Sequence, residues 1–341
     1  MAYDQSLSAF NTLALDSTCK TLVSVFSESE LIEALAWARK QQLAVTVLGG
    51  GSNVVLAGDL ETLVILQKMT GITILSRTDN RVLVRFSAGE NWHDCVSWAL
   101  DNSFFGLENL ALIPGSVGAA PIQNIGAYGV EIQSMVAAVH AIKVSDGSNM
   151  LLSRDDCQFG YRDSIFKHGY ADQLVITAVD LQLDLQANPN TSYPALAHVL
   201  AQTEHAEVSP RDVFDAVVDI RRRKLPDPVH LPNAGSFFKN PVVISSRWQA
   251  LEKDFPDLPG YAQADGSVKL PAAWLIDHCG WKGRRVGGLG VHPDHALVLV
   301  NYDSGSGSEL LELARRIAAD VKQTFDIALE IEPRVYGSQR E

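Results

Sequence analysis

Residues 44–56 read Ala44-Val45-Thr46-Val47-Leu48-Gly49-Gly50-Gly51-Ser52-Asn53-Val54-Val55-Leu56. A short apolar strand runs straight into a glycine-rich loop and out into a second apolar run. Glycines let backbone N–H groups come close to a pyrophosphate, and Ser52 and Asn53 add donors. The loop is neither GxGxxG nor a GK[ST] phosphate loop. Taken alone, it reads as a phosphate cradle or as a tight turn, at even odds.

The elements around this stretch set the fold class. Ser27-Glu28-Ser29-Glu30 has the form of a capping box and predicts a helix through about residue 41, with Leu31 and Leu35 on one face. Residues 63–66 read as a short strand, and Val82, Val84 and Phe86 alternate with polar residues as in a half-buried strand. A helix is expected over 91–100, and strands over 136–144 and 174–185. Ser209-Pro210 opens a strong helix with proline in its first turn, closed by Arg221-Arg222-Arg223-Lys224 and then Pro226 and Pro228. A short helix over 271–279 ends at Gly280, a strand covers 296–300, and a helix covers 309–325. A last strand is expected over 327–331. Strands dominate the first half without regular βαβ alternation, so the expected class is α+β and not a doubly wound sheet. The composition shifts over 208–228, where the main boundary is placed.

Bulk properties exclude several functions. The chain has 341 residues and a formal net charge of −12. Such an acidic chain is a poor general nucleic-acid binder, because neutralising phosphates takes clustered Lys and Arg. Cys19, Cys95, Cys157 and Cys279 are far apart and form no CxxC pair, which argues against structural zinc and for a reducing compartment. Residues 1–16 hold no basic stretch followed by an apolar run, and no apolar run is long enough for a membrane span. A cytoplasmic location is expected, with no membrane partner. Nothing demands an oligomer, so a monomer is expected. His292 and His295 are three apart, but Pro293 argues against a helix presenting both to a metal, and no metal is expected. The six tryptophans read as packing residues.

A second glycine-rich segment shifts the reading of the first. Residues 114–129 read PGSVGAAPIQNIGAYG, too rich in small residues for a core element. Small side chains allow a flat ring system or a phosphate to lie against backbone. Two such segments suggest one extended dinucleotide gripped at its pyrophosphate from both sides. The order GGGSN, PGSVGAAPIQNIGAYG, FGYRDSIFK, LPDPVHLPNAGSFFKNP, PAAWLID and LEIEPRVYG resembles the UDP-N-acetylenolpyruvoylglucosamine reductase family, the UDP-N-acetylmuramate dehydrogenases, in its longer subtype with a tyrosine loop. The resemblance covers residues 11–337. It implies an FAD-binding domain of the vanillyl-alcohol-oxidase (PCMH) type in two α+β subdomains, followed by a C-terminal α+β substrate-binding domain. The implied boundaries are 1–70, joined by a C-terminal strand segment 327–341, then 71–208, then 209–326.

The implied activity belongs to peptidoglycan precursor synthesis. NADPH reduces FAD, and the flavin N5 passes hydride to the vinyl carbon of UDP-N-acetylglucosamine enolpyruvate. Negative charge then develops on the adjacent carboxylate, where cations or donors stabilise it, and a positioned acid protonates the α-carbon. By motif, Arg162 would polarise the carboxylate, Ser236 would donate the proton, and Glu332 would assist. Pro333 stands where the family has an apolar residue, and a proline there alters the strand edge. The cofactor positions implied are Gly49, Gly50, Gly51, Ser52, Asn53, Pro114, Gly115, Ser116, Gly118, Ala119, Asn124, Gly126 and Ala127. The substrate positions implied are Tyr128, Tyr161, Tyr193, Lys224, Asn240 and Arg334. Tyr193 would swing over the diphosphate, although Pro194 replaces the commoner glycine.

Each has a plainer reading. Arg162 is equally a solvated loop cation, Ser236 a turn serine, Glu332 a strand-end carboxylate and Tyr193 a half-packed surface ring. The Arg221–Lys224 run suits a helix C-terminus, and three arginines can serve the helix while Lys224 reaches a ligand. Three other functions compete: another FAD-dependent oxidoreductase of the same fold family, a nucleotide-sugar binding protein without turnover, and a serine hydrolase on Ser236. The last lacks a GxSxG elbow. The expected site is a cleft closed by three distant parts of the chain.

Overall fold

The computed structural model describes residues 1–202, 207–303 and 305–337. Residues 338–341 of the expected C-terminal segment, and 203–206 of the expected second subdomain, lie outside the described residues. The chain falls into two compact units. The first comprises 1–5, 19–51 and 60–223, and the second 6–18, 52–59 and 224–341.

Among the described residues the first unit holds one two-stranded hairpin and two larger sheets. In one, the strands run in the order Ala2–Ser6, Thr18–Val25, Leu60–Gln67, Val45–Leu48, and the last three are mutually parallel. Leu63, Val64, Ile65 and Leu66 are all buried, as expected of a parallel strand covered on both faces. The helix Glu28–Lys40 buries Leu31, Ala34, Leu35 and Ala38, the i, i+3, i+4, i+7 stripe of an amphipathic helix. Its capping differs from a simple box. Ser27 Oγ accepts from the Glu30 amide, but the Glu30 carboxylate accepts from Phe26 N–H at 2.6 Å, one residue further out.

The second sheet is antiparallel, in the order Asn149–Ser153, Val136–Lys143, Leu174–Asp184, Arg81–Ser87, Ile72–Arg77. Val82, Val84 and Phe86 face one core together with the helix Trp92–Asp101 and with Val213, Val217 and Ile220 of the helix Pro210–Lys224. That packing places residues 209–223 with the first unit, whereas the sequence-based boundary put them in the third domain. Ser209 and Asp212 cap the helix reciprocally: Asp212 Oδ2 accepts from the Ser209 amide and Ser209 Oγ from the Asp212 amide.

The second unit carries a four-stranded sheet ordered Asn233–Ser236, Val298–Asn301, Leu289–Val291, Arg285–Val286. The helix Gly307–Phe325 buries Leu310, Leu313, Ala314, Ile317 and Val321, and Ser306 with Glu309 forms a full capping box. The expected strand over 327–331 is not formed. Only Ile331 bridges, to Phe238, with backbone bonds Lys239 N–H to Glu330 O and Glu332 N–H to Phe237 O on either side. Pro333 has no N–H to extend the ladder. Beyond it the chain changes partner, and Arg334–Tyr336 pairs in parallel with Val54–Leu56. Residues 327–337 thus reach part of the 1–70 segment but group with the second unit.

No helix among the described residues is long and apolar enough to cross a membrane. Gly307 yields a stability prediction. A Cβ there would lie 1.8 Å from the Leu56 carbonyl oxygen, a backbone atom that cannot swing aside. Alanine ordinarily favours a helix over glycine, yet Gly307→Ala should destabilise by roughly 1–3 kcal/mol or more through overpacking. Ser308→Ala, on the same turn, is the control. Chemical denaturation of both variants checks this, and a Gly307→Ala variant as stable as its parent would refute it.

Candidate functional site

In the first unit the two glycine-rich segments touch backbone to backbone. A Cβ on Gly49 would sit 2.2 Å from Ser116 Oγ, and one on Gly50 would sit 3.0 Å from Gly115 Cα. Gly115 has φ +115 and Gly51 φ +63, which L side chains rarely adopt. The 115–118 stretch is strapped to the turn before helix Trp92–Asp101: Trp92 N–H donates to Gly115 O, Val117 N–H to Glu90 O and Gly118 N–H to Ala88 O, all at 2.9–3.0 Å. Gly118 rests on Ala88, where a Cβ would meet the Ala88 Cβ at 2.7 Å. Two loops therefore meet backbone to backbone at Gly50 and Gly115, with the Ser116 hydroxyl seated over Gly49. Such a surface offers peptide N–H groups to an anion, and this glycine cradle fits a dinucleotide pyrophosphate.

The rest of the 114–129 segment builds a second feature. Gly126–Ala127 pairs with Val130–Glu131, leaving Tyr128 and Gly129 at the tip with φ +48 and +82. Positive φ at both central residues is the signature of a tight hairpin turn. The Tyr128 ring meets the Tyr193 ring edge-on at 5.4 Å. Asn109 Nδ2 donates to Tyr128 O and to Asn190 O, holding the 190–193 loop against this hairpin. Tyr193 itself precedes the helix Pro194–Leu200, with Pro194 in the first turn.

Asn124 is fully buried, and its amide has a structural use. It donates to Gly160 O at 2.9 Å and to Glu131 Oε2 at 2.8 Å, and it accepts from Gln133 N–H. The sequence reading placed this side chain on the cofactor. Gly160 and Asp163 bond to each other in both directions, so Tyr161 and Arg162 occupy the tip of a tight turn, with Arg162 at φ +53. The Arg162 guanidinium lies 5.9 Å from the Tyr161 ring centroid, and its Nε is buried. Ser164 anchors the turn through a 2.6 Å bond to Ile122 O.

Arg221 joins this neighbourhood, a residue the sequence reading gave to the helix terminus. Its Nε donates to Leu112 O at 3.1 Å. Burial, with the nearby Arg162 charge, lowers the Arg221 guanidinium from its usual value, against an opposing effect of Tyr128. An arginine keeps its proton under such a shift, so the Arg221 cation stands near both Tyr128 and the Arg162 cation. A signal for Arg221 existed: it follows buried Val217 by four residues and so shares the inward face of its helix. Leu112 has φ +56, and its N–H donates to His93 Nδ1 at 3.1 Å. His93 stacks on Phe214.

The second unit gathers the remaining candidates. Gly235 has φ +68, its N–H donates to Asn233 Oδ1, and the register slips between Asn233 and Ser236. This bulge turns Ser236 relative to its strand. The bond from Glu332 N–H to Phe237 O sets Glu332 against Phe237, the residue after Ser236, though they are far apart in sequence. Asn240 Oδ1 accepts from Ala272 N–H at the start of the helix Ala272–His278. Arg334 N–H donates to Asn53 O, and its guanidinium lies over Tyr336 at 5.0 Å. Burial first, then the charges of Lys224 and His292, lower the His295 imidazole. His295 was set aside by the sequence reading, and it accompanies Lys224.

Thus Gly49, Gly50, Pro114–Ala119, Tyr128, Tyr161, Arg162 and Tyr193 belong to one unit. Ser52, Asn53, Lys224, Ser236, Asn240, Glu332 and Arg334 belong to the other. A cavity of about 520 Å³, lined by residues such as Arg81, Phe105, Arg154 and Asp184, includes none of these positions. Among the described residues no three His, Cys, Asp or Glu side chains gather as a metal site.

Two family models match the chain. A family model described as FAD binding domain matches residues 20–152. One described as UDP-N-acetylenolpyruvoylglucosamine reductase, C-terminal domain, matches residues 227–336. The chain is 48% identical over 332 residues to UDP-N-acetylenolpyruvoylglucosamine reductase of Paraburkholderia phymatum, covering 97% of this chain and 96% of that protein. It is 45% identical over 333 residues to the protein of the same name in Pseudomonas fluorescens, covering 98% of each. The crystal structure of the Thermus caldophilus protein of that name superposes with a TM-score of 0.67 at 24% identity, covering 98% of this chain and 100% of that one, which supports the fold.

His93 gives a pH prediction. Burial, opposed by Asp94 and reinforced by Arg222 and Arg221, holds its imidazole below the ordinary 6.5. The unfolded chain then binds the proton more readily than the folded one. This contribution to stability is full above about pH 6.5 and declines as the pH falls below it. His93→Asn keeps an acceptor without the titration, so its melting temperature should fall less than the parent's between about pH 7 and pH 5. An equal fall in both would rule His93 out as a source.

Proposed function

Since the chain belongs to the UDP-N-acetylenolpyruvoylglucosamine reductase family, we propose that it reduces the enolpyruvyl group of UDP-N-acetylglucosamine enolpyruvate to UDP-N-acetylmuramate with NADPH, as a cytoplasmic monomer serving peptidoglycan precursor synthesis. The observation that carries this reading is that residues 227–336, which hold Ser236 and Glu332, match the C-terminal domain model of this family and lie outside the stretch that matches the FAD-binding model. A general flavin oxidoreductase has no need of that domain. On this reading the first unit serves the flavin, and the segment from Lys224 onward in the second unit serves the substrate.

The glycine cradle supports FAD as the cofactor. Gly49, Gly50, Gly51, Ser52, Asn53, Pro114, Gly115, Ser116, Gly118, Ala119, Gly126 and Ala127 would hold it. When bound, FAD supplies hydride-transfer chemistry that no side chain can. Arg162 binds the substrate carboxylate, where negative charge develops, and its half-buried setting keeps the attraction from being screened as it would be in water. Glu332 helps to stabilise that developing charge as a protonated carboxyl that donates its O–H, since its ionised form would repel the charge. Ser236 gives its hydroxyl proton to the α-carbon. Lys224 and Asn240 contact the diphosphate of the substrate, Tyr193 is the ring of the tyrosine loop that swings over it, and Tyr128, Tyr161 and Arg334 are further substrate-binding residues. The Asn240 Oδ1 bond to Ala272 N–H fixes which end of that amide donates.

NADPH oxidation followed with and without the enolpyruvyl UDP-sugar tests the proposal. Oxidation should require the sugar, and equal consumption without it would favour another FAD-dependent oxidoreductase. Ser236→Ala should lower turnover by about 10²–10⁴-fold while flavin bleaching by NADPH alone keeps the parent rate. Undiminished turnover would remove Ser236 from the proton-donor role.

A further inference from the structure

The geometry points to Asn124 as a positioning residue for Arg162, acting through the Gly160 carbonyl rather than through any contact with cofactor or substrate. This rests on the reading of Arg162 given above. Four observations converge. Asn124 is fully buried. Its φ of +45 is a conformation that asparagine tolerates better than most residues. Its NH2 group is divided between Gly160 O at 2.9 Å and Glu131 Oε2 at 2.8 Å. Its Oδ1 accepts from Gln133 N–H at 3.1 Å. The same Glu131 oxygen also accepts from Gln133 Nε2 at 2.5 Å, so the carboxylate orients the amide that holds Gly160.

Gly160 is the hinge point of the Arg162 turn. Its N–H donates to Asp163 O and its carbonyl accepts from Asp163 N–H, with Tyr161 and Arg162 between. A bond from Asn124 to that same carbonyl fixes the first residue of the turn. Ser164 fixes its far end on Ile122 O, two residues before Asn124. The 122–124 peptides thus hold both ends of the arginine loop, and the arginine's backbone is kept in a left-handed state that a loose loop would abandon. Misplacing a catalytic cation by an ångström costs about 10²-fold in rate, which is why such a clamp matters.

Asn124→Asp keeps size and the Oδ1 acceptor but sets an oxygen against Gly160 O and the Glu131 carboxylate. Asn124→Gly keeps the left-handed backbone and removes the amide. In the full-length flavin-loaded protein, both should retain parental flavin content and lose protection from hydrogen exchange at the Gly160 and Asp163 amides. Their kcat/KM for the enolpyruvyl UDP-sugar should fall by about tenfold to hundredfold. In an Arg162→Ala background the same changes should have almost no further effect on kcat/KM, since two residues acting through one interaction are not additive. Loss of flavin or of melting temperature in both variants would make Asn124 a purely structural residue and overturn the proposal. So would additive effects in the double variants. If the parent enzyme failed to need the enolpyruvyl sugar while the exchange result held, the role given to Arg162 would fall and the clamp itself would stand.

Discussion

The first unit depends on one steric constraint: Gly50 lies against the Gly115 backbone and Gly49 against the Ser116 side chain, each closer than a Cβ would allow. Without a Cβ on Gly49 and Gly50, two loops from different parts of the sheet system can meet, backbone on backbone at Gly50 and with the Ser116 side chain over Gly49. The constraint propagates. Because residue 115 is held there, the chain on either side is fixed too. It is strapped to the 88–92 turn on one side and folds into the Tyr128 hairpin on the other. From that hairpin region the Asn124 amide reaches the Arg162 turn. A phosphate cradle and a cationic loop are therefore parts of one rigid strip.

The second unit follows a different logic. Its central serine is placed by a bulge, in which Gly235 is needed for its φ and not for space, since a Cβ there would meet nothing. Glycine thus serves two opposite purposes in the same chain. At Gly49 it removes bulk, and at Gly235 it permits a rotation.

Much of the architecture was legible because local rules sufficed. The Leu63–Leu66 run, the Val82–Phe86 alternation and the Leu31–Ala38 stripe all report burial directly through period and polarity. The strand Ile72–Arg77 left no such trace, because it is an edge with Ile74 and Leu75 largely exposed. The 327–331 stretch looked like a strand by composition, yet strand formation needs a partner with free ladder groups, and Pro333 ended the pairing. Site residues divided along the same line. Glycine and arginine positions were visible as motifs. The true use of Asn124 and the inward turn of Arg221 were not read, because both depend on which carbonyls other segments bring to them, at Gly160 and at Leu112. For Arg221 the helical spacing from Val217 was a usable clue. For Asn124 no local pattern distinguishes a ligand-facing amide from one that braces a neighbouring loop.

The pairing of Arg334–Tyr336 with Val54–Leu56 also bears on how the chain is made. Synthesis runs from the N-terminus, so Val54–Leu56 emerges early and its partner only after most of the chain. Residues 6–18 and 52–59 must likewise wait for segments beyond 224. The first unit's sheets are complete once residue 184 has left the ribosome, and its last helix closes over them by residue 224. Nascent chains thus carry an early, self-sufficient unit with two orphan segments looped out of it. Those segments can only be captured after translation, and during that interval their apolar residues Leu7, Leu13, Leu15, Val55 and Leu56, all buried in the finished protein, are open to chaperones or to aggregation.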